Sequence, residues 1–301
     1  MMNPARTIWL ASILGALSLA GILIAWPEIR GFCPSCAPTS MTGFPSSQFV
    51  RVQHASDIDD VFAKQLGGDP FLGDIPRVFV QTLPSDLDGI ADLERRKRLF
   101  LQVLLPQILR LNEDIRADRA RLIAIAQTPP DAQSTENAAW LARVAQEYRA
   151  NPADYASLLA RVDAVPPSLA IAQGAIESGW GTSRFALTGN ALFGQRTFDL
   201  SRAGFRPKDV EDANFKVRRF ESLMESIWGY MITLNTHPAH AQFRQLRAQM
   251  RKEGDAIDSM ALAATLTRYS EEGERYVSLV QNVISENNLR RLDGRRLANS
   301  P

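Results

Sequence analysis

Pro166-Pro-Ser-Leu-Ala-Ile-Ala-Gln-Gly-Ala-Ile-Glu-Ser-Gly-Trp-Gly-Thr-Ser183 decides how the rest of the chain is read. Leu169, Ala172 and Ile176 recur at helical spacing and define a face for a core. Gly179 and Gly181 stop the helix, so Glu177 falls in its last turn with Trp180 beside it. A carboxylate there faces the negative end of the helix dipole, and an apolar neighbour further disfavours its charge. Both effects raise its pKa toward the range a general acid needs at neutral pH. An isolated Glu before a glycine stop is ordinarily a solvated surface residue. The density of this string argues for a site.

Working outward, Asn190 to Phe220 breaks the helical pattern. Gly194, Gly204 and Pro207, with alternating Phe198, Phe205, Phe215 and Val217, predict an irregular β lobe. Helices are expected on both sides of it, over about 136–149, 152–162, 168–178, 223–235, 239–252, 256–268 and 273–287. Asn151-Pro152 supplies an N-cap and a first-turn proline. Ser222-Leu-Met-Glu225 has the spacing of a capping box. Upstream, Leu93, Leu99, Phe100, Val103, Leu104, Ile108, Leu111, Ile115, Leu122 and Ile125 form the strongest helical stripe, over 89–127. Pro106 is expected to bend or interrupt it, and Thr128 to Ser134 reads as a hinge. Ile58–Leu66 reads as a short helix and Pro76–Pro84 as a short extended segment. The expected fold is mainly α, an α+β lysozyme-like arrangement in which a helical domain carries a small β-lobe insertion and a cleft lies between them.

Ala175-Ile-Glu-Ser-Gly-Trp-Gly-Thr-Ser183, followed by Gly189-Asn-Ala-Leu-Phe-Gly194, resembles the glucosaminidase domain of glycoside hydrolase family seventy-three. Val217-Arg-Arg-Phe-Glu-Ser-Leu-Met-Glu-Ser226, Asn235-Thr-His-Pro-Ala239, Leu266-Thr-Arg-Tyr-Ser270, Pro76-Arg-Val-Phe-Val80 and Arg96-Lys-Arg-Leu-Phe100 resemble the bacterial Bax-type branch. The resemblance covers about residues 70–290. It implies hydrolysis of the β-1,4 bond after N-acetylglucosamine in peptidoglycan, with Glu177 as the catalytic acid and Tyr230 as a tyrosine on the helix after the β lobe. A core role for Tyr230 is the alternative, because Ile227, Met231 and Leu234 lie on neighbouring turns. The resemblance also places a second acid in the β lobe. Glu211 fits best, Asp209 and Asp212 are close, and Asp199 is a further candidate.

Glycoside cleavage needs an acid for the leaving oxygen and a group that attacks or stabilises the oxocarbenium-like carbon. Glu211 across a cleft would activate water and invert the centre; without it, the 2-acetamido group of the substrate would act. Trp180, Asn190, Phe193 and Gly194 are the expected substrate-binding positions, with Trp180, Phe193 and Tyr230 offering rings for sugars. Aromatic residues in such a lobe are also commonly core.

Ile8 to Trp26 carries no charge and is long enough for one membrane span. Arg6 precedes it, while Glu28 offsets Arg30 beyond it, so residues 1–7 are expected to stay cytoplasmic and the rest to be exported. No clear cleavage site follows. An uncleaved inner-membrane anchor is expected, with a cleaved signal and a soluble periplasmic protein as the alternative. The expected order is an anchor at 1–27, a linker at 28–48, a helical extension at 49–130, a glucosaminidase domain at 131–290 and a tail at 291–301.

Composition narrows the function classes. The chain has 301 residues, 34 basic and 33 acidic, for a net charge of +1. Without Arg6, Arg30 and Glu28 the two signs are equal in number, which disfavours nucleic acid as a partner. Cys33-Pro-Ser-Cys36 lies in a Pro- and Ser-rich stretch without a strand–helix pattern, so a local disulfide or two idle thiols outranks a redox site. His237 and His240 stand without the H-E-x-x-H pattern of a zinc hydrolase, and no metal or cofactor is expected. Two other functions fit the same fold. A lytic transglycosylase would leave anhydro sugars, and a non-catalytic glycan-binding scaffold would tolerate loss of Glu177.

Overall fold

The computed structural model describes residues 49–63, 71, 73–206 and 214–299. The expected anchor, the linker, Cys33 and Cys36 therefore lie outside the described residues, as do Asp209, Glu211 and Asp212. Among the described residues no helix is long and apolar enough to cross a membrane.

Ten α-helices are formed among the described residues: α1 (Ala55–Ala63), α2 (Leu93–Ala126), α3 (Thr135–Glu147), α4 (Tyr155–Arg161), α5 (Pro167–Ser178), α6 (Arg184–Gly189), α7 (Leu223–Thr236), α8 (Ala241–Glu253), α9 (Ser259–Ala263) and α10 (Glu274–Glu286). Two small sheets accompany them. β1 (Phe49–Val50) pairs in parallel with β2 (Phe79–Val80). β3 (Arg196–Thr197), β4 (Gly204–Phe205) and β5 (Lys216–Arg218) form an antiparallel sheet in the order β3-β5-β4, which is the expected β lobe. The protein is mainly helical with small sheets, as the pattern required.

Side-chain caps fix where the helices begin. Asp92 accepts from the Glu94 and Arg95 amides to start α2, Ser134 from Asn137 to start α3, and Ser222 from Glu225 to start α7. The reciprocal half of the expected capping box is shifted by one residue, since Glu225 accepts from the amide of Glu221, the residue before the cap. Pro106 does not interrupt α2, which runs unbroken through 34 residues. Its flanks Leu99–Leu105 and Ile108, Leu109 and Leu111 are buried on several sides, and that packing outweighs the one lost backbone bond. Three further expectations are corrected. The stretch 256–268 is helical only over α9, after which it proceeds in turns. A short helix, α6, lies where none was read. The hinge is a 3-10 turn at Pro130–Ala132.

α5 is the hub. It packs against α2, α9, α10 and the 3-10 helix Leu289–Leu292, and nearly all its residues are buried. One continuous core runs from Val52 to Leu297. The extension before residue 130 is therefore divided from the rest in sequence and fused to it in packing. Residues 293–298 join the same packing. Ile75 bridges to Leu297, and Arg77 donates to the Ala298 carbonyl at 2.7 Å. Asp293 accepts from the Ser168 amide and hydroxyl and from the Ser259 hydroxyl, capping the start of α5.

A buried charge cluster secures the far side of the core. Asp163 is paired with Arg251 at 2.9 Å and with Arg247 and Arg119 at 3.7 Å. Burial alone would raise the Asp163 pKa, but the three guanidinium groups outweigh it and hold the carboxyl below its ordinary value.

Candidate active site

The end of α5 is an unusual turn. Gly179, Trp180 and Gly181 all have positive φ, at 59°, 57° and 83°. Trp180 has a Cβ and is strained in that region. Three bonds hold it there: the Trp180 amide donates to Ala175, the Ser178 hydroxyl donates to Gly174, and the Gly181 amide donates to the same Ser178 oxygen. The Trp180 ring then lies edge-on to Phe100 at 5.7 Å, with the Lys97 ammonium above it. Next to it, Arg95 pairs with Asp59 and Lys97 with Glu94.

Glu177 sits two residues before Gly179, the first residue of this turn, and is half-buried. Its Oε1 accepts from the Tyr276 hydroxyl at 3.0 Å. Its Oε2 faces Gly194, where a side-chain methyl would lie 3.5 Å away. Burial pushes the Glu177 pKa up to about 7; the Tyr276 hydrogen bond and the Arg196 charge pull against it, and Glu272 adds to it. A carboxyl in that range is populated in both protonation states at neutral pH, as proton donation to a leaving group requires.

Tyr276 leads inward. Its hydroxyl accepts from Gln173 Nε2 at 3.0 Å, and Gln173 Oε1 accepts from the Tyr230 hydroxyl at 2.7 Å. The Tyr276 ring stacks on Tyr269 at 5.3 Å, and Tyr230 stacks on Phe193 at 4.1 Å.

The expected sugar-stacking surfaces are corrected by burial. Phe193 and Tyr230 are each 0% exposed, and Trp180 is 7% exposed. Their faces are committed to the core and to one another, so none is open to a sugar ring. Gly194 does stand at the carboxyl, with φ +62°. Asn190 is the left-handed cap of α6 and donates to the Phe220 carbonyl, while its Oδ1 is buried without a hydrogen-bond partner. Asp199 is spent elsewhere. It accepts from Ser201 and Arg202 and is held below its ordinary pKa chiefly by Ser201.

Sequence reasoning missed Gln173 and Tyr276. The four-residue step from Gln173 to Glu177 puts both on one helix face, and that was the available signal. Nothing near Tyr276 in sequence points back across the 99 residues to Glu177. His237 and His240 are both buried. Desolvation drives the His240 pKa down to about 3, so its ring stays neutral. No group of three or more His, Cys, Asp or Glu side chains able to hold a metal occurs among the described residues.

A proton-holding carboxyl on a buried helix end, beside a small β lobe, is equipment suited to glycosidic bond cleavage. Residues 153–289 match the Glucosaminidase family model, described as mannosyl-glycoprotein endo-beta-N-acetylglucosaminidase. It is 34% identical over 185 residues to "Protein bax" of Escherichia coli strain K12, covering 60% of this chain and 66% of that protein. The chain thus spans just under two-thirds of that relative's length. The catalytic domain of the autolysin Auto from Listeria monocytogenes aligns with 58% of this chain and 97% of that chain, at 20% identity and a TM-score of 0.35.

Proposed function

We propose that this protein is a peptidoglycan hydrolase that cleaves the β-1,4 bond after N-acetylglucosamine, with Glu177 as general acid. The observation that carries the reading is the Glu177 carboxyl itself, lifted to a pKa of about 7 with one oxygen held by Tyr276 and the other beside Gly194. The family match over 153–289 supports the substrate class. In this reading Oε2 delivers the proton to the leaving oxygen. Glu211 or the substrate's own acetamido group then completes the displacement. Trp180 acts by holding the turn that aims Glu177, and Asn190 and Gly194 lie along the substrate's path.

Digestion of purified peptidoglycan followed by mass spectrometry tests this. Fragments ending in reducing N-acetylglucosamine are expected. Anhydro ends would make the enzyme a transglycosylase, and no cleavage would favour a scaffold. Glu177→Gln should lower turnover by about 10²–10⁴-fold, the range general acid catalysis supplies. Wild-type cleavage by that variant removes Glu177 from the chemistry.

A further inference from the structure

We infer that Tyr230, Gln173 and Tyr276 form a one-way hydrogen-bond relay that commits Glu177 Oε1 to accepting and so leaves Oε2 as the oxygen that carries the proton. The inference deepens the proposed function and rests on Glu177 being the acid.

The polarity follows from counting hydrogens. Tyr230 and Phe193 fill the closed end of the relay, and Tyr230 is fully buried. Its hydroxyl has one hydrogen and gives it to Gln173 Oε1 at 2.7 Å. Gln173 is itself fully buried, and with its oxygen accepting, its amide nitrogen must face Tyr276, to which it donates at 3.0 Å. The Tyr276 oxygen is then occupied as an acceptor, so its own hydrogen goes to Glu177 Oε1 at 3.0 Å.

The reverse polarity is penalised at the closed end. Turning the Gln173 amide over would leave the Tyr230 hydrogen unmade in the core, and an unmade buried donor is costly. Glutamine is suited to the middle position because one group both accepts and donates. A protonated Oε1 would meet a hydroxyl already aimed at it, so the proton belongs on Oε2, the oxygen beside Gly194. Tyr276, Gln173 and Tyr230 are thus positioning residues. The other charged groups acting on the carboxyl are Arg196 of β3 and Glu272 of the loop before α10, and neither belongs to the relay.

The test is the titration of the Glu177 carboxyl by carbon NMR in the full chain, assigned against Glu177→Gln. Tyr276→Phe removes the donor to the ionised carboxylate and is expected to raise the midpoint by about one pH unit. Tyr230→Phe touches nothing on Glu177, yet it frees the Gln173 amide to turn over and take the Tyr276 hydrogen. It is expected to raise the midpoint in the same direction. The double variant is expected to shift no further than Tyr276→Phe alone, because the link is already cut.

A core role for Tyr230 predicts a lower Tm and an unmoved midpoint. A folded Tyr230→Phe protein that titrates like wild type, or shifts that add in the double variant, overturns the relay. Should Tyr230→Phe fail to fold, Tyr230→Met lacks the hydroxyl equally, leaves the Gln173 amide free to turn over, and must give the same upward shift; an unmoved midpoint there overturns the relay equally. The titration needs no substrate. Loss of the acid reading would appear separately, as wild-type cleavage by Glu177→Gln.

Discussion

A carboxyl whose proton affinity rises on folding weakens the folded state once the unfolded chain ionises. Glu177 goes from an ordinary value of 4.5 to about 7. Between those values the native protein holds more protons than the unfolded chain, so stability falls as pH rises. The cost is absent below about pH 4 and complete above about pH 7. Glu177→Gln keeps the shape and removes the charge. It should therefore stabilise the protein by on the order of 1–3 kcal/mol at pH 8 and leave it unchanged at pH 4. Chemical denaturation at the two pH values checks this, and equal effects at both would show that Glu177 is not held against its charge. The burial that raises the Glu177 pKa comes only with the packed fold, and the Trp180 indole is turned to Phe100; what was legible in sequence is that Glu177 lies where a helix meets a glycine stop. Its hydroxyl partner was not, because Tyr276 reaches it only after α10 has docked on α5.

Elements were legible where periodicity and caps agree. α3, α5, α7, α8 and α10 begin and end within a few residues of their expected places. The failures have two causes, packing that overrides local preference and an element too short to show a period. Leucines on all sides of Pro106 carry α2 through it. α6 spans only six residues, too few to show a period. The turn after α5 depends just as strongly on distant elements. A methyl at Gly181 would lie 2.9 Å from Leu87 Cδ2 and 3.1 Å from both Leu83 and Phe100. Its φ of +83° adds backbone strain. Gly181→Ala should cost about 2–4 kcal/mol, seen as a Tm several degrees lower. A Tm within a degree of wild type would mean that the extension does not press on the turn.

At the scale of the molecule, the family match and the folding unit differ. The match ends at residue 289, while Leu292 and Leu297 are core residues and Asp293 caps α5. Residues before 153 supply α2, which packs on α5 and α7. A chain cut to residues 153–289 should lack a cooperative thermal transition, whereas the chain from 49 to 299 should unfold in a single one. Calorimetry on both decides, and a sharp transition in the short chain would show a self-sufficient core. The boundary drawn at 130 rests on the turn-forming run from Thr128 to Ser134, and such residues mark a loop that one core can span.

The Arg77–Ala298 bond joins residues 221 positions apart, and the Ser168–Asp293 bond joins residues 125 apart. Every one of the ten helices is synthesised before the segment that closes both bonds. A ribosome-bound intermediate stopped after α10 would have all its helices and an uncapped α5, its acid already made but not yet mounted. Capping of α5 is thus an event that waits for a segment 125 positions downstream of the helix start it closes.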